Sequence, residues 1–292
     1  MRGGVKMCSK YYKIDSDTGE LFPVNAIELK PGDQIRHKEQ IEYCSELYKR
    51  RDDKTAFVWV LFTYGKDLLP NVSDANLTRL IYAATFCGRD GSIMSKELLR
   101  VQMRLNKNRW AEFWNEMIDN NIFHEENGIV YVDDNLFSKG RIKTDMNRTR
   151  LFCEYVQHIY ESCDSSNEHK QLSYLFKIIP FVNRKTNIVC MNPEEQDKSK
   201  IQFMRVGQFC DMVGYNKNNA RRLIKELLKI RVSGERAIGF FVQDLKEESW
   251  VMIVNPKLYF GGDRTKDIFK EQKQLFQLEA ENYKNLEEQE NN

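Results

Sequence analysis

The chain has 292 residues, with 45 basic against 43 acidic side chains, 41% hydrophobic and 12% aromatic residues. That length and composition describe about two globular domains and exclude a disordered or collagen-like polymer. A net charge of +2 exerts no global pull on nucleic acid or membrane, so a charged partner has to be met by a local surface. No apolar run has the ~18 residues of a membrane helix, and Met1-Arg2-Gly3-Gly4 leads into polar residues, so a cytoplasmic protein with no membrane partner is expected. The seven Cys are odd in number and form no C-x-x-C pair, which reads as reduced, mostly buried thiols. The four His form no metal-ligand set, and no cofactor is expected.

In chain order, Lys10–Ile14 and Leu21–Val24 flank the turn residues Asp15–Gly19 and predict a hairpin. Residues Gln34 to Arg51 are polar with sparse apolar spacing and predict an exposed helix. The apolar run Ala56–Phe62 fits a buried strand or a buried helical turn, and its Val, Phe and Trp favour strand. Ser73 or Asp74 caps a helix containing Leu77, Leu80 and Ile81. A turn follows at Gly88–Gly91, a short helix at Ser95–Gln102, and a longer helix capped by Asn106. The turn Glu125-Glu126-Asn127-Gly128 then predicts a second hairpin. Helix, short helix, longer helix and hairpin is the order of a winged helix-turn-helix. Asp145–Cys163 has the spacing of an amphipathic helix, and Cys163–Glu168 reads as a linker.

The second half repeats the first. A helical pattern spans Leu172–Val182, a polar insertion Asn192–Lys200, a short helix Met204–Val213, and a helix begins after Asn216. Strands Ile238–Val242 and Trp250–Val254 then flank Leu245–Glu248. Leu105-Asn106-Lys107-Asn108 matches Tyr215-Asn216-Lys217-Asn218, Phe113 matches Leu223, and Met117 matches Leu227. Asn135–Gly140 resembles Lys257–Gly262. An internal duplication with this order predicts an α+β, helix-rich fold of two tandem winged helix-turn-helix domains. The boundaries are 1–54 for an N-terminal hairpin and helix, 55–144 for the first winged domain and 145–166 for a connecting helix and linker. The second winged domain spans 167–263, and 264–292 is a polar, solvated helical tail.

Charge separates the two halves. Residues 214–236 carry Lys217, Arg221, Arg222, Lys225, Lys229, Arg231 and Arg236 against Glu226 and Glu235. If Leu223, Ile224, Leu227 and Leu228 face the core, then Lys217, Asn218, Arg221, Arg222 and Lys225 face outward. Asn and Arg side chains there suit base edges, Lys suits phosphate, and the helix N-terminus offers amides to a phosphate. A solvated basic face is the plain alternative; the winged context favours DNA contact. In the first half, Arg104, Lys107 and Arg109 are balanced by Glu112, Glu116 and Asp119, and Glu125 and Glu126 repel phosphate. Trp110, Phe113 and Trp114 there read as core or as a protein interface. The first unit is thus expected to assemble or position, with Lys107, Asn108 and Arg109 as a secondary contact. Lys139, Arg141, Lys143, Arg148 and Arg150 form another basic stretch, either a backbone contact or linker charge.

No phosphate loop, H-E-x-x-H or local triad signature is present, which points away from an enzyme. A nicking tyrosine stays open among 13 Tyr, without the His-hydrophobe-His motif that usually accompanies it.

Two segments carry a family likeness: the helix Tyr215–Leu227, and the strand running into Ile253-Val254-Asn255-Pro256-Lys257-Leu258-Tyr259-Phe260-Gly261-Gly262. The last third of the chain resembles winged-helix replication initiators of plasmids and phages of Gram-positive bacteria, of the RepL type. The likeness implies sequence-specific binding of double-stranded DNA by a replication initiator or transcriptional regulator. The site would hold Asn216, Lys217, Asn218, Asn219, Arg221, Arg222 and Lys225, with Lys246 on the second wing reaching phosphate. Similarity to two-winged initiators implies a homodimer through the first winged domain. The alternative is a winged protein-interaction module that binds and diverts another protein.

Overall fold

The computed structural model describes residues 11–14, 21–23, 34–37, 57–61, 71–139, 148–244, 249–261 and 267–290. Contacts divide the chain into two compact units, Met1–Lys54 and Thr55–Asn292. In the first, β1 (Tyr11–Ile14) pairs antiparallel with β2 (Leu21–Pro23) and, on its other side, with β3 (Gln34–His37). The expected pair of strands therefore supplies the central strand and one edge of a three-stranded sheet. The first four residues of the expected helix at Gln34–Arg51 are a strand instead, and the rest of that segment lies outside the described residues.

The second unit is α+β, helix-rich with small antiparallel sheets, and is organised around a four-stranded sheet of order β14-β9-β4-β8. Its centre is the antiparallel pair of β4 (Phe57–Leu61) and β9 (Arg148–Phe152), with Trp59 opposite Arg150. The edges are β8 (Phe137–Ser138) and β14 (Tyr259–Phe260). Trp59 also faces Ser138 on β8, as Arg150 faces Phe260 on β14. Exchanging Trp59 with Arg150 therefore maps one side of the sheet onto the other, so the register has a pseudo-twofold axis at that pair. β9 corrects the expected helix at Asp145–Cys163, where among the described residues only α4 (Cys153–Glu161) is helical. The Ala56–Phe62 run is a strand, shared with the second half rather than confined to the first.

Between its two strands each half runs through corresponding elements. The first has α1 (Asp74–Ala84), β5 (Ser92–Ser95), α2 (Lys96–Gln102), α3 (Lys107–Asp119), β6 (Phe123–Glu126) and β7 (Ile129–Val132), with strand order β5-β7-β6. The second has α5 (Ser166–Lys177), α6 (Val206–Met212), α7 (Ala220–Lys229), β12 (Ile238–Asp244) and β13 (Ser249–Val254). Ile188 bridges to Ile253 on the free side of β13, taking the place of β5. Both halves end in the same turn: the Leu136 and Leu258 amides donate to the Asp133 and Asn255 carbonyls, at 3.0 and 2.9 Å.

Local chemistry explains these elements. Asn127 and Gly128 have φ of +50° and +77°, the mirror-image turn that suits a right-twisted hairpin. Ser95 and Asn106 cap their helices through side-chain oxygens that accept from Leu98 N and Arg109 N. Ser73 makes no cap bond of its own; the Glu116 carboxylate accepts from its amide (2.5 Å) and hydroxyl (2.8 Å) and from Asn76. A carboxylate from α3 thus sits on the positive end of α1. The expected linker at Cys163–Glu168 is a capping box, Ser165 with Glu168, that starts α5.

α1 packs along α5 and one hydrophobic core runs through both halves. Tyr82 stacks on Tyr160 at 3.9 Å, and Lys177 reaches Asp74 at 2.5 Å. Beside this joint the guanidinium of Arg79, 5% exposed, donates to Asn76, and His169 lies 4.4 Å from the Tyr160 ring. The described cysteines are free thiols, and burial pushes Cys87, Cys153 and Cys163 up to about 11.

The expected solvated tail is a helix whose first half is docked. In α8 (Asp267–Glu290), Phe269, Gln272 and Phe276 are buried, and Glu279 pairs with Arg236. Arg236 belongs to a small hairpin absent from the sequence expectations, β10 (Arg231–Val232) with β11 (Glu235–Arg236). The overlooked signal was the Ser233-Gly234 turn dipeptide, whose residues have φ of +51° and +82°.

Two measurements check this packing. A Cβ on Gly261 would lie 2.9 Å from Arg184 Cβ and Thr149 Cγ2, whereas one on Gly207 meets nothing within 4 Å. Urea denaturation should show Gly261→Ala losing about 1–3 kcal/mol. Gly207→Ala should be neutral or gain up to about 1 kcal/mol. Burial first, then the Arg79 charge, holds His169 below its ordinary value of 6.5, against the weaker opposing pull of Glu168. The neutral imidazole thus stabilises the fold above pH 6.5, and this contribution fades as pH falls and the unfolded chain takes up the proton first. The melting temperature should drop between pH 7 and 5.5, and His169→Gln should flatten that drop.

Candidate nucleic-acid interface

The basic surface is built on the turn and helix that follow α6. Gly214 adopts φ +68°, letting Tyr215 N reach back to Cys210 O at 2.8 Å and end α6 sharply. In the first half Arg104 takes the same role at φ +55°, with Leu105 N on Arg100 O at 3.2 Å. The matched motif thus stands on matched backbone. After Asn216 the two halves part. Lys217–Asn219 forms a 3₁₀ turn and the α-helix starts at Ala220, rather than running unbroken from Asn216 as expected. Asn216 takes up two amides, its Oδ1 accepting from Asn218 N and its carbonyl from Asn219 N, both at 2.9 Å. Those donors are committed within the chain, which removes them from the expected phosphate site at the helix start.

α7 is strongly two-faced. Leu223 and Leu227 are buried, Ile224 and Leu228 half-buried, and Arg221, Arg222 and Lys225 exposed. Asn216, Lys217, Asn218 and Asn219 are exposed ahead of them. The basic residues of 214–236 are not equally available. Lys217 pairs with Asp211 at 2.7 Å, Lys229 with Glu226 at 2.9 Å, and Arg236 with Glu279. Both members of the Lys217–Asp211 pair are more than half exposed, so it adds little stability and yields readily to a phosphate. No ion pair among the described residues engages Arg221, Arg222 or Lys225. At i, i+1 and i+4 they form one cationic strip on the outward face.

Lys107, Asn108 and Arg109 are exposed at the start of α3. Glu116 is turned onto α1, so the surface of this helix is less acidic than its sequence sum. Trp110 and Phe113 are buried core, and Trp114 is half-buried beneath the Lys96 ammonium, 4.1 Å from the ring. These three therefore do not form an aromatic interface patch. What the first half does expose is Leu98 at 53% and Val101 at 59% on α2, and Ile118 on α3. Its wing tip keeps Glu125 and Glu126 exposed, with Glu125 3.4 Å from Lys96. Lys246 lies outside the described residues, as do Arg141 and Lys143, and Arg150 is a strand residue of the central sheet.

Among the described residues no group of three His, Cys, Asp or Glu could hold a metal ion, and no helix is long and apolar enough to cross a membrane. No family model, curated protein or solved structure matches the chain.

Exposed, unpaired side chains can be removed without cost to the fold. Arg221→Ala and Arg222→Ala should each leave the urea midpoint within about 0.5 kcal/mol of the parent. A larger loss in either would mean that the side chain is structural.

Proposed function

We propose that the chain is a sequence-specific, double-stranded DNA-binding protein of two tandem winged-helix units, a replication initiator or transcriptional regulator of phage or plasmid type. The observation that carries this reading is the cationic strip Arg221, Arg222, Lys225, exposed on the outward face of α7 and without acidic partners among the described residues. A near-neutral chain gains nothing for its own fold by leaving three cations unpaired there, whereas a duplex supplies both phosphates and guanine edges for them. The element and strand order in each half supports the winged reading, with α3 and α7 as recognition helices and β6–β7 and β12–β13 as wings. α7 enters a major groove, Asn218, Arg221 and Arg222 face base edges, and Lys217 and Lys225 meet phosphates. Lys107, Asn108 and Arg109 add a secondary contact from α3. Exposed Leu98 and Val101 favour a second, protein-binding role for the first winged half.

Selection from a random duplex pool should return a defined motif, whose repetition would indicate an initiator and whose single palindrome would indicate a repressor. On that duplex Arg221→Ala or Arg222→Ala should cost about 1–3 kcal/mol and relax specificity. Lys225→Ala should weaken all sequences alike and lower the salt dependence by about one counterion. Failure to select any motif, or unchanged binding by an Arg221→Glu/Arg222→Glu double variant, removes this function from the strip.

A further inference from the structure

We infer that Asp74, in the first half, is a positioning residue for α7, the helix that carries the cationic strip of the second half. Its effect on duplex binding rests on the DNA reading above; its hold on the helix does not. Asp74 opens α1 and Lys177 closes α5, so each charge sits on the helix end whose dipole favours it. The Lys177 ammonium donates to the Asp74 carboxylate at 2.5 Å and also to Val213 O at 3.4 Å. Val213 O is one of the carbonyls left open where α6 ends. Tyr174 gives a second route. Its hydroxyl donates to the other oxygen of Asp74 at 3.4 Å, and its ring meets Tyr215 edge to face at 5.2 Å.

The residues on both sides of Gly214 are therefore held from one carboxylate. Gly214 is the left-handed residue at which the chain turns from α6 toward α7, and without a Cβ it resists rotation least. The two bonds of Lys177 are unequal. The ion pair is short and its members are 17% and 23% exposed, whereas the bond to the neutral carbonyl is long. Without Asp74 the flexible lysine stem leaves Val213 O, because fixing it there costs side-chain entropy that one long bond does not offset. Lys170 also lies 3.8 Å from Asp74, but it is half exposed and adds little. The first half holds the matching carbonyl by other means: the Tyr160 hydroxyl donates to Met103 O at 3.3 Å, just before left-handed Arg104. A neutral donor there replaces the ammonium, so that turn serves as an internal control.

Residue-resolved amide hydrogen exchange of the full chain tests this. In Asp74→Ala the Tyr215 and Asn219 amides, bonded to Cys210 O and Asn216 O, should exchange about tenfold faster or more. The Leu105 amide, at the matching turn of the first half, should stay within about twofold of the parent, and Asp74→Glu should restore most of the protection. On a selected duplex Asp74→Ala should bind about fivefold or more weakly, although residue 74 lies outside the strip. Unchanged exchange at Tyr215 and Asn219, equal acceleration at Leu105, or unchanged affinity for a duplex that the parent binds overturns the assignment. A parent that binds no duplex removes the DNA reading instead, and exchange alone then decides the role of Asp74.

Discussion

The antiparallel pairing of β4 with β9 is the constraint on which the second unit depends. Each strand opens one half of the repeat, and each half returns its last strand, β8 or β14, to the outer edge of the strand that opened it. The chain cannot complete this sheet until both halves have folded back, so the halves are coupled through backbone hydrogen bonds as well as through the α1–α5 contact. Packing at the joint reinforces this. Asn187, buried in the second half, donates its side-chain amide to Val254 O and Tyr259 O, tying the end of β13 and the edge strand to one residue. Two-residue edge strands are also too short to recruit a foreign strand readily.

On that shared frame the two halves carry different surfaces. At the end of the short helix the backbone is the same, with Arg104 and Gly214 both left-handed, and the core positions Phe113 and Leu223, Met117 and Leu227 are all buried. The outward positions are not conserved between halves. Leu98 and Val101 correspond in order to Gln208 and Asp211, and the helix that follows is charge-balanced in one half and strongly basic in the other. Core identity is held by packing, which tolerates little change in volume. Exposed positions are free of that constraint, so the two halves present unlike surfaces on matching frames.

The parts legible in the sequence are those decided within a few residues. Asn106 and Asn216 as caps, the Asn127-Gly128 turn, and the alternation of Leu223 and Leu227 with Arg221, Arg222 and Lys225 are local statements, and the structure keeps them. The parts not legible are decided by distant partners. Arg148–Phe152 sits in a segment with helical apolar spacing, and it becomes a strand because β4 lies alongside it. Glu116 counts as surface charge until α1 is brought beneath it. The first residues after Asn216 also escaped the helical reading, since a string of Asn competes for backbone amides through its own side chains and tightens the turn to 3₁₀.

The same distinction explains α8. From sequence its charge dominates, and a helix with a −4 end reads as solvated. Among its described side chains Phe269, Gln272 and Phe276 are nevertheless docked, and they are held where the two halves differ most. Arg236 of the β10–β11 hairpin anchors Glu279, and Ile201 and Phe203, which line the groove beside α8, follow directly on the polar insertion. That insertion is ordered by its own chemistry: Asn183 donates to Pro193 O and Glu195 O, and Asn192 closes its base through Lys200 O and Gln202 N. The hairpin and the insertion thus act together as a platform for α8, a surface with no counterpart among the described residues of the first half.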